Sequence, residues 1–294
     1  MSTPLVSIGM PVYNGEEFLA ESLETLLGQT YKNLEIVVSD NASTDRTAEI
    51  CQDFADRDQR IKYYCAEENR GSNWNFSQAF RLSTGDYFKW AASDDLCTSD
   101  FVERCLVILE GDATVVCCHS RTQTIDEHGN LIEGLSDPTD AGWSQRSRQR
   151  RPDGSSLEVH LRFRDVLMVS GWGVRCAGVF RSAALAQTGL MRSFYGSEKL
   201  MMAELCMHGR FYDIEEALFS QRIHSSSISG VQASNRRSVH TPLTMQFVEY
   251  AKIPGKSSLP YSERLRCYAW LAVYLLQYKK WLKLLRDRFL SSTE

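Results

Sequence analysis

Two adjacent carboxylates, Asp94 and Asp95, follow an aromatic, apolar segment at residues 87–92. Such a segment is typical of a buried strand, so the pair is expected at a strand's carboxyl end. Paired carboxylates attract Mg²⁺ or Mn²⁺, which prefer oxygen ligands and leave positions for phosphate oxygens. A bound ion would neutralise charge on a departing diphosphate. The alternative is that one of them only caps the helix predicted from Asp100.

A second candidate group is the turn at residues 11–15, after the first predicted strand, together with Asp40 at the end of the second. In open α/β sheets, ligands bind outside the carboxyl ends of the strands, where the strand order reverses. The ring of Tyr13 can stack on a nucleobase, and Asp40 can accept from a ring N–H of uracil or guanine. The alternative is a plain Pro-Asn-Gly turn and an exposed Asp at a helix start, but the acidic pair favours a ligand site.

His224 ends a predicted strand and is followed by a Ser- and Gly-rich stretch at residues 225–230. A neutral imidazole can complete a metal shell, and Arg222 can bind phosphate as a forked donor. A lone histidine is more often a surface or satisfied residue. The neighbouring loop, which has the composition to close over a ligand, leaves the two interpretations equally favoured.

Short apolar runs alternate with helix-period segments over the first hundred residues, which predicts βαβ units and a parallel sheet. Strands are predicted at residues 5–10, 34–38, 61–64, 87–92 and 114–118. Residues 136–156 lack apolar periodicity and are expected to form a long loop. Beyond it, we expect helices at 157–168, 182–188 and 198–208, a strand at 217–223, and helix from residue 241.

Composition narrows the classes of protein. The formal net charge of −4 provides no basic field, so a nucleic-acid partner is not expected. Nine cysteines without a CxxC pair indicate free thiols in a reducing cytosol. The first residues lack the features of a signal peptide, and the uncharged run at residues 267–278 is shorter than the ~20 residues of a membrane span. A cytoplasmic location is therefore expected.

Four motifs in order resemble family 2 glycosyltransferases: VSIGMPVYNGEEFLAESLETLLGQTY, LEIVVSDNASTD, NRG and GDYFKWAASDD. The similarity covers about the first 110 residues, and weaker matches follow in GSEKLMMAEL, GRFYDIEEALF and QRIH. It implies a GT-A fold, which is a doubly wound, mostly parallel α/β sheet with helices on both faces, here with a helical C-terminal extension. It also implies an inverting transfer of a sugar from a nucleotide diphosphate donor, with UDP-sugar favoured, and a divalent cofactor, Mn²⁺ or Mg²⁺.

The resemblance assigns roles to residues of this chain. Asp95 and His224 would bind the metal. Many relatives carry a further Asp two residues before Asp94, where this chain has Ala92. The donor would be held by Pro11, Tyr13, Asn14, Glu17, Asp40, Asn69, Gly71, Asp94 and Arg222.

The same resemblance places an acidic residue at Glu198, at the start of a predicted helix. An inverting transfer needs a carboxylate on the acceptor side to take the hydroxyl proton, and we assign Glu198 to this role. The alternative is a helix-start Glu stabilised by the helix dipole. Glu204 projects from another face of the helix and is the weaker candidate.

The implied organisation has three parts: a nucleotide-sugar-binding half at residues 1–135, an acceptor-side half at 136–235 and a helical extension at 236–294. The acceptor would be a saccharide or a lipid-linked saccharide, in surface polysaccharide or glycolipid synthesis. The apolar and basic C-terminal helix would pack on the domain, on a second subunit as a homodimer, or on the inner membrane face. The basic run of the long loop is most simply a solvated face, or an acceptor lid, and comprises Arg146, Arg148, Arg150 and Arg151, near Trp143.

Three other classes of protein were weighed. A sugar nucleotidyltransferase shares the sheet and the acidic pair but normally has a Gly-rich, basic loop after the first strand, and residues 11–17 contain no Lys or Arg. An NAD-dependent oxidoreductase would have GxGxxG there, and this chain does not. A nucleotide-sugar-binding protein with a decayed catalytic site remains an alternative.

Overall fold

The computed structural model describes residues 3–132, 154–169, 174–194, 196–225 and 243–276. Most of the predicted loop at 136–156 lies outside these residues, with Trp143 and its four arginines. So do most of the Ser- and Gly-rich stretch after His224 and the chain after Leu276. Among the described helices, none combines the length and hydrophobicity needed to cross a bilayer.

The described strands form one eight-stranded sheet in the order β3-β2-β1-β4-β7-β6-β8-β5. Neighbouring strands among β1, β2, β3 and β4 pair in parallel, and so do β6 and β8. Strand β5 pairs antiparallel with β8, and β7 pairs antiparallel with β4 and with β6. The bounds are β1 Val6–Val12, β2 Leu34–Asp40, β3 Ile61–Cys65, β4 Tyr87–Trp90, β5 Leu96–Cys97, β6 Val115–Ile125, β7 Val179–Arg181 and β8 Arg210–Arg222.

Helices pack on the sheet, and the predicted α/β class is confirmed. A 3₁₀ helix at Val174–Ala177 precedes β7. The α-helices are α1 Leu19–Leu27, α2 Thr47–Arg57, α3 Ser72–Arg81, α4 Phe101–Gly111, α5 Val159–Met168, α6 Ser182–Leu185, α7 Ser197–Leu205, α8 Leu243–Lys256 and α9 Tyr261–Leu275.

Strand alternation builds an apolar core on each face of the sheet. On β4, Tyr87 belongs to one buried cluster and Phe88 to the other, because successive side chains of a strand point to opposite faces. Strands β1 and β2 are buried throughout, as expected of central parallel strands covered on both faces.

The strand order reverses at β1, which pairs with β2 on one side and with β4 on the other. This reversal leaves a crevice at the carboxyl ends of β1 and β4, where open α/β sheets bind ligands. The acidic pair Asp94–Asp95 follows β4 closely, so the sheet carries it to this crevice.

Strands β5 and β7 were not predicted as strands, and three other elements differ from the sequence prediction in extent. Strand β6 continues to Ile125 rather than ending at Cys118, because its polar residues, including His119 and Thr122, are buried beside β8. Strand β8 begins at Arg210 rather than residue 217. The predicted C-terminal helix is two helices, and Pro260 precedes the second. The division into three parts stays a prediction, although β7 and β8 join the sheet of the first half.

At the opposite edge of the sheet, a buried carboxylate joins four segments. Glu35 accepts hydrogen bonds from the hydroxyl of Ser7, from the backbone N–H of Thr84 (2.6 Å) and from Lys62 Nζ (2.5 Å). Burial raises the pKa of Glu35, but these hydrogen bonds outweigh burial and hold the pKa below its ordinary value.

Glu35→Gln should therefore lower the free energy of unfolding by about 1.5–3 kcal/mol, because hydrogen bonds to a charged acceptor are weakened. A carboxylate with a lowered pKa stabilises the folded state fully at pH values above its unfolded-state pKa of 4.5. This stabilisation is lost as the pH falls through the folded-state pKa. The difference from wild type should thus shrink in acid. Urea unfolding at several pH values measures it, with the exposed Glu24→Gln as control; equal losses in the two variants would contradict this prediction.

Candidate functional site

A cavity of about 400 Å³ opens at the crevice between the carboxyl ends of β1 and β4. The turn after β1 and the first turns of α1 and α3 form its walls, and the segment after β4 forms its floor. Its lining residues are Pro11, Val12, Tyr13, Asn14, Gly15, Glu17, Phe18, Asn41, Asn69, Ser72, Asn75, Phe76, Ala92, Ser93, Asp94 and His224.

Hydrogen bonds fix the turn after β1 against the loop after β2. Asn14 has a left-handed backbone, with φ of 51°, and its Oδ1 accepts from the N–H of Thr44 at 2.8 Å. In return, the N–H of Asn14 donates to Ser43 Oγ at 2.9 Å. This clamp leaves the ring of Tyr13 48% exposed on the cavity wall, where a planar group can stack on it.

Asp40 lies beneath the cavity and does not line it. The residue is 1% exposed. Its Oδ1 accepts from the N–H and hydroxyl of Ser43 at 2.9 and 2.6 Å, and its Oδ2 accepts from the hydroxyl of Tyr63 at 2.7 Å. Asp40 therefore holds the loop after β2, and a nucleobase could reach it only if part of this loop moved.

Asn69 joins the loop after β3 to the cavity. Its Oδ1 accepts from Asn41 Nδ2 at 2.8 Å and from the N–H of Gly71 at 2.9 Å. Gly71 has a φ of 86°, which favours glycine, and it starts α3 without lining the cavity. Asn69 is thus the member of the NRG motif at the cavity, and Gly71 serves the turn that presents it.

The acidic pair divides its tasks. Asp94 lines the cavity, and its Oδ2 lies 3.0 Å from His224 Nε2. Asp95 does not line the cavity, and one of its carboxylate oxygens, Oδ1, accepts a hydrogen bond from the N–H of Arg222 at 3.0 Å. Burial, and then the charge of Asp94, raises the pKa of Asp95 to about 8.

Arg222 anchors this pair from behind. It is 2% exposed and does not line the cavity, and its place among the donor-binding residues stays a prediction. Its Nε donates to the carbonyl of Asp94 at 2.9 Å, and its terminal nitrogens donate to the carboxylate of Glu21 at 2.6 Å and the carbonyl of Glu127 at 3.0 Å. With its nitrogens engaged in this way, the guanidinium supports the acidic turn rather than facing a phosphate.

The donor set at this end of the cavity fits a hard divalent cation. Ligands at right angles in an octahedral shell of radius about 2.1 Å lie about 3 Å apart. Asp94 Oδ2 and His224 Nε2 are hydrogen-bonded to each other at 3.0 Å, so these two side chains could serve as ligands only by exchanging this bond for the ion. Within the described part of the chain, no group of three His, Cys, Asp or Glu side chains has the arrangement of a metal site. Phosphate and water oxygens would have to supply the remaining ligands, as is common for such ions.

Glu198 lies in the first turn of α7, after Gly196, and does not line the cavity. Burial raises the pKa of its carboxyl above the ordinary value. Glu204, the weaker candidate base, forms an ion pair with Arg192 and accepts from the N–H of Gly189 at 2.7 Å. This engagement assigns Glu204 to holding the segment before α7.

The structure therefore brings together most, but not all, of the predicted site. The predicted residues that line the cavity are Pro11, Tyr13, Asn14, Glu17, Asn69, Asp94 and His224. Those that do not are Asp40, Gly71, Asp95, Arg222 and Glu198.

Sequence reasoning missed Asn75 and the two phenylalanines of the lining, Phe18 and Phe76. Phenylalanines at helical spacing indicate core and give no sign of a cavity. Asn75 is 2% exposed, and its Nδ2 donates to the carbonyls of Val12 (3.1 Å) and Ser39 (2.8 Å). A polar residue on the apolar side of α3 was the available signal.

Because Asn75 bridges the carboxyl ends of β1 and β2, Asn75→Ala should remove its hydrogen bonds to the Val12 and Ser39 carbonyls and from the Ser39 hydroxyl, while the Val12 carbonyl keeps the N–H of Asn41 as a donor. We expect a loss of about 1–3 kcal/mol in the free energy of unfolding, together with weaker nucleotide binding as the cavity wall loosens. Denaturant unfolding and calorimetry measure the two effects. Gln78→Ala, on the same helix and partly exposed, is the control, and a midpoint shift no larger than in the control would rule out the bridge.

Comparison with known proteins places this geometry in a family. The family described as glycosyl transferase family 2 matches residues 7–161. A chondroitin synthase of Escherichia coli is 35% identical over 129 residues, which are 44% of this chain and 19% of that protein. An uncharacterized glycosyltransferase of Haemophilus influenzae is 33% identical over 133 residues, which are 45% of this chain and 53% of that protein. The matches thus span 19% and 53% of the lengths of these curated relatives.

Solved structures share the fold. TarS 1–349 of S. aureus in complex with UDP-GlcNAc has a TM-score of 0.65 at 16% identity, over 92% of this chain and 71% of that chain. The mannosyltransferase PcManGT of Pyrobaculum calidifontis, in complex with GDP-Man and Mn²⁺, has a TM-score of 0.58 at 16% identity, over 94% and 76%. These likenesses confirm the GT-A type fold expected from the motifs. Because the family match covers more than half of the chain, the protein belongs to glycosyl transferase family 2.

Proposed function

We propose that the protein transfers a glycosyl group from a nucleoside diphosphate sugar to an acceptor hydroxyl. The observation that carries the proposal is one cavity with the exposed ring of Tyr13 on its wall and the Asp94–His224 pair on its floor. An aromatic platform suits a nucleobase, and a carboxylate–imidazole pair suits a metal-bound diphosphate. Its volume of about 400 Å³ lies in the range of small-molecule sites.

The nucleobase would lie at the end formed by Pro11, Tyr13 and Asn69. Asp40 lies below this end, and we keep it as the acceptor for a ring N–H of uracil, guanine or thymine. This contact requires the Ser43 or Tyr63 hydroxyl to give way, because both occupy the carboxylate. The complexes of TarS with UDP and of PcManGT with GDP-Man support a donor of this class. We favour uridine.

Asp94 and His224 would hold a divalent ion, Mn²⁺ or Mg²⁺, and Asp95 would join them by turning its free oxygen toward the cavity. When bound, the ion supplies positive charge that stabilises the departing diphosphate. Asp94 would also lie near the ribose of the donor. Arg222 keeps both backbone and carboxylate of this turn in place through its N–H and guanidinium contacts.

Uridine diphosphate should raise the melting temperature of the protein when Mn²⁺ is present, because a ligand that binds only the folded state stabilises it by mass action. Adenosine diphosphate should raise it less, since adenine lacks a ring N–H at the matching edge. Asp95→Asn should lose the Mn²⁺-dependent part of the shift and keep the ligand-free melting temperature, and His224→Ala should lose less of it. Equal shifts with both nucleotides would remove Asp40 from base recognition. An unchanged shift in Asp95→Asn would remove Asp95 from the metal site.

Glu198 is the proposed general base of an inverting transfer. Burial raises its pKa above the ordinary value, which makes its carboxylate a stronger base for the acceptor hydroxyl proton. It lies at the start of α7, with Tyr250 of α8 as an electrostatic neighbour. The acceptor hydroxyl would then approach from the side of α7 and α8, opposite the diphosphate.

Glu198→Gln should slow transfer by about 10²–10⁴-fold, which is typical for loss of a general base. The effect should appear in kcat, while the donor KM hardly moves. The acidic limb of the kcat profile should also disappear, because the titrating carboxyl is gone. Steady-state rates from pH 5 to 9 test this, with Glu204→Gln as the neighbouring control. Transfer within a few-fold of wild type would exclude Glu198 as the base. A loss confined to donor binding would instead mean that Glu198 faces the diphosphate and not the acceptor.

The acceptor belongs to a saccharide or lipid-linked saccharide in this proposal, in surface polysaccharide or glycolipid synthesis. The partial match to a chondroitin synthase supports a saccharide acceptor. We place the reaction in the cytoplasm, where nucleotide sugars are available. Donor hydrolysis or transfer with Mn²⁺ distinguishes this enzyme from a binding protein with a decayed site.

A further inference from the structure

One side of α9 exposes apolar residues, and Ser262 and Arg266 are exposed beside them. Tyr261, Leu265, Tyr268 and Leu275 are all exposed, with 74% of Tyr261 and 50% of Leu265 open to solvent. They follow the spacing i, i+4, i+7 and i+14, so they share one side of the helix. We call this face the α9 stripe, defined by Tyr261, Leu265, Tyr268, Ala272, Leu275 and Leu276.

The stripe is not part of the core. The opposite side of α9 already packs inward through Cys267, Leu271 and Tyr274, which are buried in the core cluster shared with α5 and α7. A surface helix normally turns its charged residues outward. Here Glu263 and Arg266 pair with each other at 2.9 Å beside the stripe. Exposed apolar residues grouped on one side of a helix make this face a candidate interaction surface.

We propose that the α9 stripe docks the protein on the surface of an anionic lipid bilayer, with the helix lying along the membrane plane. Leucines on one face are typical of a helix that lies in the membrane interface. Tyrosines are typical of it too, because their rings suit the boundary between lipid and water. The chain continues from Leu276 with 18 residues that hold five basic and two acidic side chains. Positive charge next to an apolar helix face attracts anionic lipids.

The size of the stripe argues against a second copy of the chain. The 15 residues of α9 extend over about 22 Å, so a stripe about 10 Å wide offers roughly 200 Å². A stable protein interface needs about 800 Å² from each partner. Binding to a lipid surface instead increases steadily with the apolar area and the basic charge, and has no such threshold.

Docking through the stripe would leave the proposed base on the far side of α9 from the membrane, a consequence that rests on the proposed function. Tyr274 of α9 contacts Tyr250 of α8 with ring centroids 6.0 Å apart, and Tyr250 is the electrostatic neighbour of Glu198. Tyr274 lies on the buried side of α9, opposite the stripe, so a lipid-linked acceptor would have to reach the base past this helix.

Co-sedimentation of the full chain with vesicles tests the docking. The vesicles are phosphatidylcholine alone or phosphatidylcholine with phosphatidylglycerol. Leu265→Glu and Leu275→Glu should each weaken binding to the anionic vesicles by about tenfold or more. In each variant a carboxylate replaces a leucine that docking would bury in the bilayer, and anionic lipid repels this carboxylate. Val107→Glu is the matched control, since Val107 is 68% exposed on α4, away from the stripe. This control should bind like wild type, and all three variants should keep the wild-type melting temperature.

The docking is overturned if the wild-type protein stays in solution with anionic vesicles, or if Val107→Glu weakens binding as much as the stripe variants. Equal binding to neutral vesicles would overturn the requirement for anionic lipid. A stripe variant that changes a dimer to a monomer without changing vesicle binding would assign the face to a second copy. If a glutamate variant melts early, Leu265→Ser and Leu275→Ser replace it. Donor binding is measured separately by thermal shift, so failure of the proposed function leaves this result readable.

Discussion

Two adjacent carboxylates repel each other, and Arg222 ties the turn that carries them to the end of β8. Its backbone N–H binds the Asp95 carboxylate, and its guanidinium binds the Asp94 carbonyl. The same guanidinium reaches Glu21 of α1 and lies 4.7 Å over the ring of Phe18. One buried cation thereby joins β8, α1 and the segment after β4, and it sets His224, two residues later, against Asp94.

That arrangement depends on the sheet. Strand β8 arrives from a distant part of the sequence and pairs parallel to β6, so its carboxyl end reaches the same edge as β1 and β4. The register between β6 and β8 shifts at three places on β6, between Val115 and Cys117, between Ser120 and Arg121, and between Arg121 and Thr122, and these shifts set where β8 ends. The histidine therefore reaches the acidic turn through long-range pairing, and no local motif encodes that meeting.

The difference between local and long-range information explains what the sequence could predict. Strands β1 to β4 and the acidic turn follow from apolar runs, turn residues and recognisable motifs, and the predicted positions agree closely. The buried positions of Asp40 and Arg222 could not be predicted from the sequence. An aspartate or arginine is the same residue type in the sequence whether its side chain faces a ligand or supports a loop. The length of β6 was missed because buried polar residues such as His119 look like a surface segment. Asn75 was missed for a related reason: its partners are backbone carbonyls, which leave no trace in the side-chain pattern.

The two ends of the cavity differ in how firmly they are built, and this bears on the chemistry. At the end proposed for the nucleobase, the hydrogen bond between Asn14 and Thr44 is exposed to solvent, and the one between Asn69 and Asn41 is partly buried. An exposed hydrogen bond opens at lower cost than a buried one. At the metal end, the acidic turn is tied to buried groups and moves only with β8. A donor would therefore meet a rigid site for its diphosphate and an adjustable one for its base. Such a division lets the loop after β2 yield to a nucleobase and uncover Asp40, while the groups that would stabilise the leaving diphosphate stay preorganised, which is where preorganisation contributes most to catalysis.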